Sequence, residues 1–103
     1  VAKAALETSV KYLAVDLGEK KIRVNGISLG PMRTLSGAAI KDARYIYSWS
    51  EKNSPLGKSV SFEDLSGSSS YLLSNQSSGV TGEIHYVDAG YNVIGMIKPP
   101  EKA

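Results

Sequence analysis

The residue types best suited to holding a ligand fall together in Gly30-Pro31-Met32-Arg33-Thr34, directly after apolar residues at Ile22, Val24, Ile27 and Leu29. Those apolar positions predict a short buried strand from Ile22 to Leu29, and Pro31, which has no N–H to continue a ladder, stops it. Open α/β sheets bind ligands outside the carboxyl ends of their strands, so the Met32 backbone and the Thr34 hydroxyl are candidate ligand groups. Gly-Pro by itself marks only a sharp exit from a strand. Three other polar residues invite chemistry and gain none from the residues alone. Lys3, in an amphipathic helix, reads as a solvated surface charge. His85 sits within a strand, without a nucleophile and a spaced acid to serve, and reads as a packing or interface residue. Asp88 reads as a turn former that holds backbone N–H groups.

The elements that must position these residues follow from periodicity. From Val1 to Leu17 the apolar residues Leu6, Val10, Leu13 and Leu17 recur at helical spacing, with Ala2, Ala5 and Ala14 small beside them, which predicts a helix with one apolar face. Gly18 is its expected stop, with Lys20 and Lys21 near the negative end of the dipole. The chain opens within this pattern, with neither a methionine nor an N-cap, as the interior of a helix would. Leu35 to Lys52 mixes small residues with Tyr45, Tyr47 and Trp49 and shows no single stripe. Each of these aromatics reads first as a packing residue. Pro55-Leu56-Gly57-Lys58 turns the chain, and Ser61-Phe62-Glu63-Asp64 predicts a helix start, with Ser61 as N-cap and Asp64 as capping-box partner. That helix should run to Leu73 or Ser74 and turn Leu65, Ser69, Leu72 and Leu73 toward a sheet. Glu83 to Asp88 predicts a second strand, parallel to the first through a right-handed βαβ crossover. Tyr91 to Ile97 is expected at a subunit interface, and residues 98–103 as a flexible tail.

Composition narrows the class. The net charge of +2 comes from scattered basic residues interleaved with acids, a pattern that predicts no nucleic-acid partner. There is no cysteine and one histidine, so neither a disulfide nor a metal site is expected. No apolar run reaches the roughly 18 to 20 residues that a membrane helix needs, so no membrane partner is expected. At 103 residues the chain is short for a nucleotide-binding α/β domain and leaves sheet edges and apolar faces to be covered, which predicts a missing N-terminal part.

Several segments resemble the bacterial enoyl-acyl-carrier-protein reductases of the short-chain dehydrogenase/reductase superfamily. They are Ala2-Lys3-Ala4-Ala5-Leu6-Glu7, then Arg23-Val24-Asn25 through Gly30-Pro31-Met32-Arg33-Thr34-Leu35, and the closing Ser78-Gly79-Val80-Thr81-Gly82-Glu83-Ile84 with Val87-Asp88-Ala89-Gly90-Tyr91. The resemblance implies an α/β fold: the C-terminal part, residues 1–103, of a doubly wound parallel-sheet Rossmann-type domain in the order helix, strand, lid helices, helix, strand. It implies reduction of trans-2-enoyl-acyl-carrier-protein by NADH in fatty acid synthesis, with NADPH as the alternative cofactor, in a cytoplasmic bacterial homotetramer. Lys3 ends the family's Tyr-x6-Lys motif, so it would hold the nicotinamide ribose and lower the pKa of a catalytic tyrosine lying before this chain begins. Gly30, Pro31, Met32 and Thr34 would bind cofactor, Met32 through its backbone to the carboxamide and Thr34 to the pyrophosphate. Residues 35–54 would form the substrate-binding lid, with Met32, Ser36, Ile40, Ala43 and Ile46 facing the acyl chain. Leu29 and Ala43 depart from the family's usual alanine and phenylalanine.

Two other readings stand beside this one. Ketoreductases of the same superfamily usually read Pro-Gly where this chain has Gly30-Pro31. A non-catalytic oligomerisation or scaffold fragment would use the same helix and sheet edge. Without its N-terminal part the chain is expected to be inactive.

Overall fold

A computed structural model describes residues 1–32, 43–97 and 99. In chain order the elements are α1 (Ala2–Gly18), β1 (Gly26–Leu29), α2 (Ala43–Asn53), α3 (Phe62–Leu73), a 3-10 turn (Asn75–Ser77), β2 (Ile84–Val87) and a second 3-10 turn (Tyr91–Val93). β1 and β2 pair directly. Gly26 N–H donates to Glu83 C=O at 2.8 Å and Gly30 N–H to Val87 C=O at 2.9 Å, so the pairing advances in the same sense along both strands and they are parallel. The chain divides into two compact units, residues 1–28 with 66–85 and residues 29–65 with 86–103.

In the first unit, α1 ends at its expected stop, Gly18, but glycine is not the residue that closes the turn. Ile22 N–H donates to Leu17 C=O and Lys21 N–H to Gly18 C=O, the bond pair of a Schellman ending. Its left-handed residue is Lys21, at φ 62°, and Gly18 belongs to the last helical turn. The buried residues of α1 are Val10 and Ala14, whereas Leu6 is 60% exposed and Leu13 46%. Of the expected face Val10 is buried, with Ala14 beside it, and both lie against glycine. A Cβ on Gly26 would lie 3.4 Å from Val10 Cγ2 and 3.1 Å from Ile84 Cδ1, and one on Gly82 would lie 3.5 Å from Ala14 Cβ, so the helix approaches where the opposing backbone has no side chains.

The expected strand from Ile22 is also shortened to Gly26–Leu29, and it is half-buried to exposed along its length. Ile22 closes the helix ending, while Arg23, Val24 and Asn25 bond to the loop before β2. One guanidinium nitrogen of Arg23 donates to Ser77 Oγ at 2.9 Å and Val80 C=O at 3.3 Å; the other donates to Ser74 C=O at 3.1 Å. Asn25 Nδ2 donates to Val80 C=O, and its Oδ1 accepts from Glu83 N–H. Val24 accepts from Gly82 N–H and donates to Thr81 Oγ1. Ser77, 1% exposed, donates to Leu72 C=O. Leu72 is buried as expected, but Leu73 is 86% exposed, because the inward stripe passes through Leu65, Ser69 and Leu72.

The second unit buries Tyr47 and Val60 among polar residues, Ser50, Asn53 and Ser54. Polar burial is tolerated here because the groups are paired. Ser54 Oγ donates to Lys58 C=O and accepts from Lys58 N–H, which closes the turn that carries Gly57 at φ 67°. Asn53 Nδ2 donates to Trp49 C=O, Trp49 Nε1 donates to Tyr91 Oη at 3.1 Å, and Tyr45 lies tilted against Trp49. The capping box at the start of α3 forms as expected, with Asp64 N–H on Ser61 Oγ at 3.1 Å and Ser61 N–H on Asp64 Oδ2 at 3.0 Å.

Candidate functional site

The carboxyl ends of both strands lie in the second unit, and they are built from backbone rather than from large side chains. β1 leaves through Gly30, Pro31 and Met32, all half-buried. A Cβ on Gly30 would stand 3.0 Å from both Cα and Cβ of Asp88, so only glycine lets this exit lie against the end of β2. Met32 N–H makes no backbone hydrogen bond to another described residue.

β2 ends in two successive left-handed residues, Ala89 at φ 57° and Gly90 at φ 89°. For alanine that conformation costs about 1 to 2 kcal/mol, and the Asp88 carboxylate offsets it. Its Oδ1 accepts from Gly90 N–H at 3.0 Å and Asn92 Nδ2 at 3.1 Å, and its Oδ2 from Asn92 N–H at 3.0 Å. The turn-forming role read for Asp88 is the one observed. Ala89 C=O accepts from Leu56 N–H at 3.1 Å, and Gly90 packs on Pro55 so closely that a Cβ there would be 2.8 Å from the ring Cγ.

The other expected site residues fall differently. Lys3 is exposed on the first turn of α1, in the first unit. Thr34, Ser36 and Ile40 lie outside the described residues, as does the side chain of Ala43, the first residue of α2. Ile46 is 45% exposed on α2. His85 Nδ1 sits 3.1 Å from Glu83 Oε1, and its ring is tilted against Tyr71, which is a packing arrangement. Among the described residues no cluster of His, Asp or Glu could hold a metal, and no helix is long and apolar enough to cross a membrane. An open cleft of about 350 Å³ in the first unit is lined by Arg23, Asn25, Ile27, Ser69, Leu72 and Leu73. Its one ionisable group, the Arg23 guanidinium, is already committed to Ser74, Ser77 and Val80.

Arg23, Asn25 and Ser77 are organisers that were not expected from the sequence. The available signal was two polar residues at strand spacing, Arg23 and Asn25, on one face of an otherwise apolar run.

Residues 1–92 match the protein family described as enoyl-(acyl carrier protein) reductase. The chain is 64% identical over 96 residues to the enoyl-[acyl-carrier-protein] reductase [NADH] 2 of Rhizobium meliloti (strain 1021), covering 93% of this chain and 36% of that protein. Crystal structures of FabI from Candidatus Liberibacter asiaticus (59% identity) and of the enoyl-acyl-carrier-protein reductase of Anaplasma phagocytophilum in complex with NAD (54%) both superpose with a TM-score of 0.87. They cover 94% of this chain and, respectively, 38% and 37% of their own lengths, so the chain spans a little over a third of its relatives. Its parallel strand pair with helices is the matching part of their Rossmann-type α/β fold. A match over nearly the whole chain, a shared backbone and a glycine-built strand exit lead to one conclusion: this chain belongs to the enoyl-(acyl carrier protein) reductase family.

Proposed function

We propose that this chain forms the C-terminal part of an NADH-dependent reductase of trans-2-enoyl-acyl-carrier-protein, acting in bacterial fatty acid synthesis in the cytoplasm as a homotetramer. The observation that carries the reading is the Gly30–Met32 exit at the strand ends of a chain in this family. NADH, when bound, supplies the hydride that the β-carbon of the enoyl thioester accepts. The residues present fit such a cofactor. Gly30 brings backbone close without a side chain in the way, the Met32 amide is free of other described backbone partners, and Lys3 offers an exposed ammonium with three donors.

In this reading Lys3 holds the nicotinamide ribose hydroxyls and, as a fixed positive charge, favours the ionised form of a tyrosine from the part of the enzyme preceding this chain. That tyrosine stabilises the enolate formed as the β-carbon is reduced. The Met32 backbone orients the carboxamide and Thr34 the pyrophosphate. Residues 35–54 serve the substrate, with Ser36, Ile40, Ala43 and Ile46 assigned to the acyl chain; of the expected tail, residues 98 and 100–103 lie outside the described residues.

The test is consumption of NADH in the presence of crotonyl thioester by a polypeptide of the relatives' full length that contains this chain. Turnover by that protein, and neither NADH binding nor turnover by residues 1–103 alone, is the expected pair of results. Tight NADH binding by the isolated chain contradicts the division of roles, and no turnover by the long protein contradicts the activity.

A further inference from the structure

The turn after β2 touches two places that the chain separates widely. On one side it meets the exit of β1, where Gly30 N–H donates to Val87 C=O and Gly30 approaches Asp88 as closely as a missing Cβ allows. On the other it meets the chain leaving α2, where Leu56 N–H donates to Ala89 C=O and the Pro55 ring lies on Gly90. These contacts depend on Ala89 and Gly90 keeping left-handed backbone, which the Asp88 carboxylate fixes through Gly90 and Asn92.

We infer that Asp88 is a positioning residue. Its carboxylate, through one strained turn, sets both the Gly30–Met32 exit and the Pro55–Leu56 stem, and so the geometry in which the cofactor's carboxamide is received. The inference rests on the reductase reading above. Asp88 itself is aimed at Gly90 and Asn92, so its effect on ligand passes through backbone.

The experiment uses the full-length protein containing this chain, with D88A, D88N and wild type compared for kcat, KM for NADH and thermal midpoint. An amide at position 88 keeps one acceptor oxygen and puts an NH2 donor where Oδ2 stood, facing the Asn92 N–H. The expected result is a KM for NADH raised about tenfold in D88A and two- to fourfold in D88N, with kcat within threefold of wild type in the folded protein. A carboxylate that serves folding alone would lower the active fraction, and with it kcat, and leave KM unchanged. An unchanged KM in both variants, or in D88N should D88A fail to fold, overturns the inference. Absence of NADH turnover in the wild type would instead overturn the reductase reading, so the two failures are distinguishable.

Discussion

Where β1 and β2 begin, Arg23, Asn25 and Ser77 join side chain to backbone through charged and amide hydrogen bonds. Where they end, Gly30 and Gly90 let backbone press on backbone, and one carboxylate, Asp88, ties the turn. The first arrangement uses its polar groups up on the fold itself. In the second, Met32 N–H makes no backbone hydrogen bond to another described residue. A polar motif such as Arg-Val-Asn is therefore architecture, while the plain Gly30-Pro31-Met32 exit is the place where the proposed cofactor contact would fall.

If the beginning of the strands is held by hydrogen bonds to a charged group, Arg23→Ala should be the costliest change. Loss of its bonds to Ser74, Ser77 and Val80 predicts about 3 kcal/mol of stability lost in denaturant unfolding of the full-length protein. Arg23→Lys should recover little, since an ammonium cannot fork to three acceptors in one plane. Gly90→Ala puts a Cβ on left-handed backbone against Pro55, and about 2 kcal/mol of destabilisation is expected. Gly30→Ala is milder for the fold, about 1 kcal/mol, but it moves the β1 exit away from Asp88, so the KM for NADH should rise while Arg23→Lys leaves it unchanged. A rise in KM for the arginine variant instead would erase the distinction between the two ends.

The smallest effect belongs to a pair at neither end. The Asp64 carboxyl is lowered from 3.8 to about 2 by its hydrogen bond to Lys58 and then by those from Ser61. Its folded pKa is depressed, so the stability it contributes is present above 3.8 and is lost as pH falls through about 2. Asp64 is solvent-accessible, and Asp64→Asn should only slightly flatten the acid limb of a stability–pH curve measured between those values.

How much of this was legible in the sequence divides along the same line. Local signals worked: the Ser61–Asp64 capping box, the Asp88 turn and both strand exits were written in short-range residue types. Long-range contacts were legible in part: the parallel pairing of β1 with β2 was, the burial of individual side chains was not. Of the expected α1 face of Leu6, Val10, Leu13 and Leu17, Val10 is buried while Leu6 and Leu13 are exposed, and the buried Val10 and Ala14 lie against Gly26 and Gly82, which are distant in sequence. Helix α1 ends at its glycine, Gly18, but the left-handed residue that closes the following turn is Lys21, secured by backbone bonds to Leu17 and Gly18. The network of Arg23 was equally hidden, since its partners Ser74, Ser77 and Val80 lie in a loop that single-residue propensity marks only as polar.

The most direct test of the account is a crystal structure of the full-length protein with NAD bound. It predicts the Lys3 amine on the nicotinamide ribose hydroxyls and the Met32 backbone on the carboxamide. A cofactor seated away from Gly30–Met32, with Lys3 in bulk solvent, would contradict it.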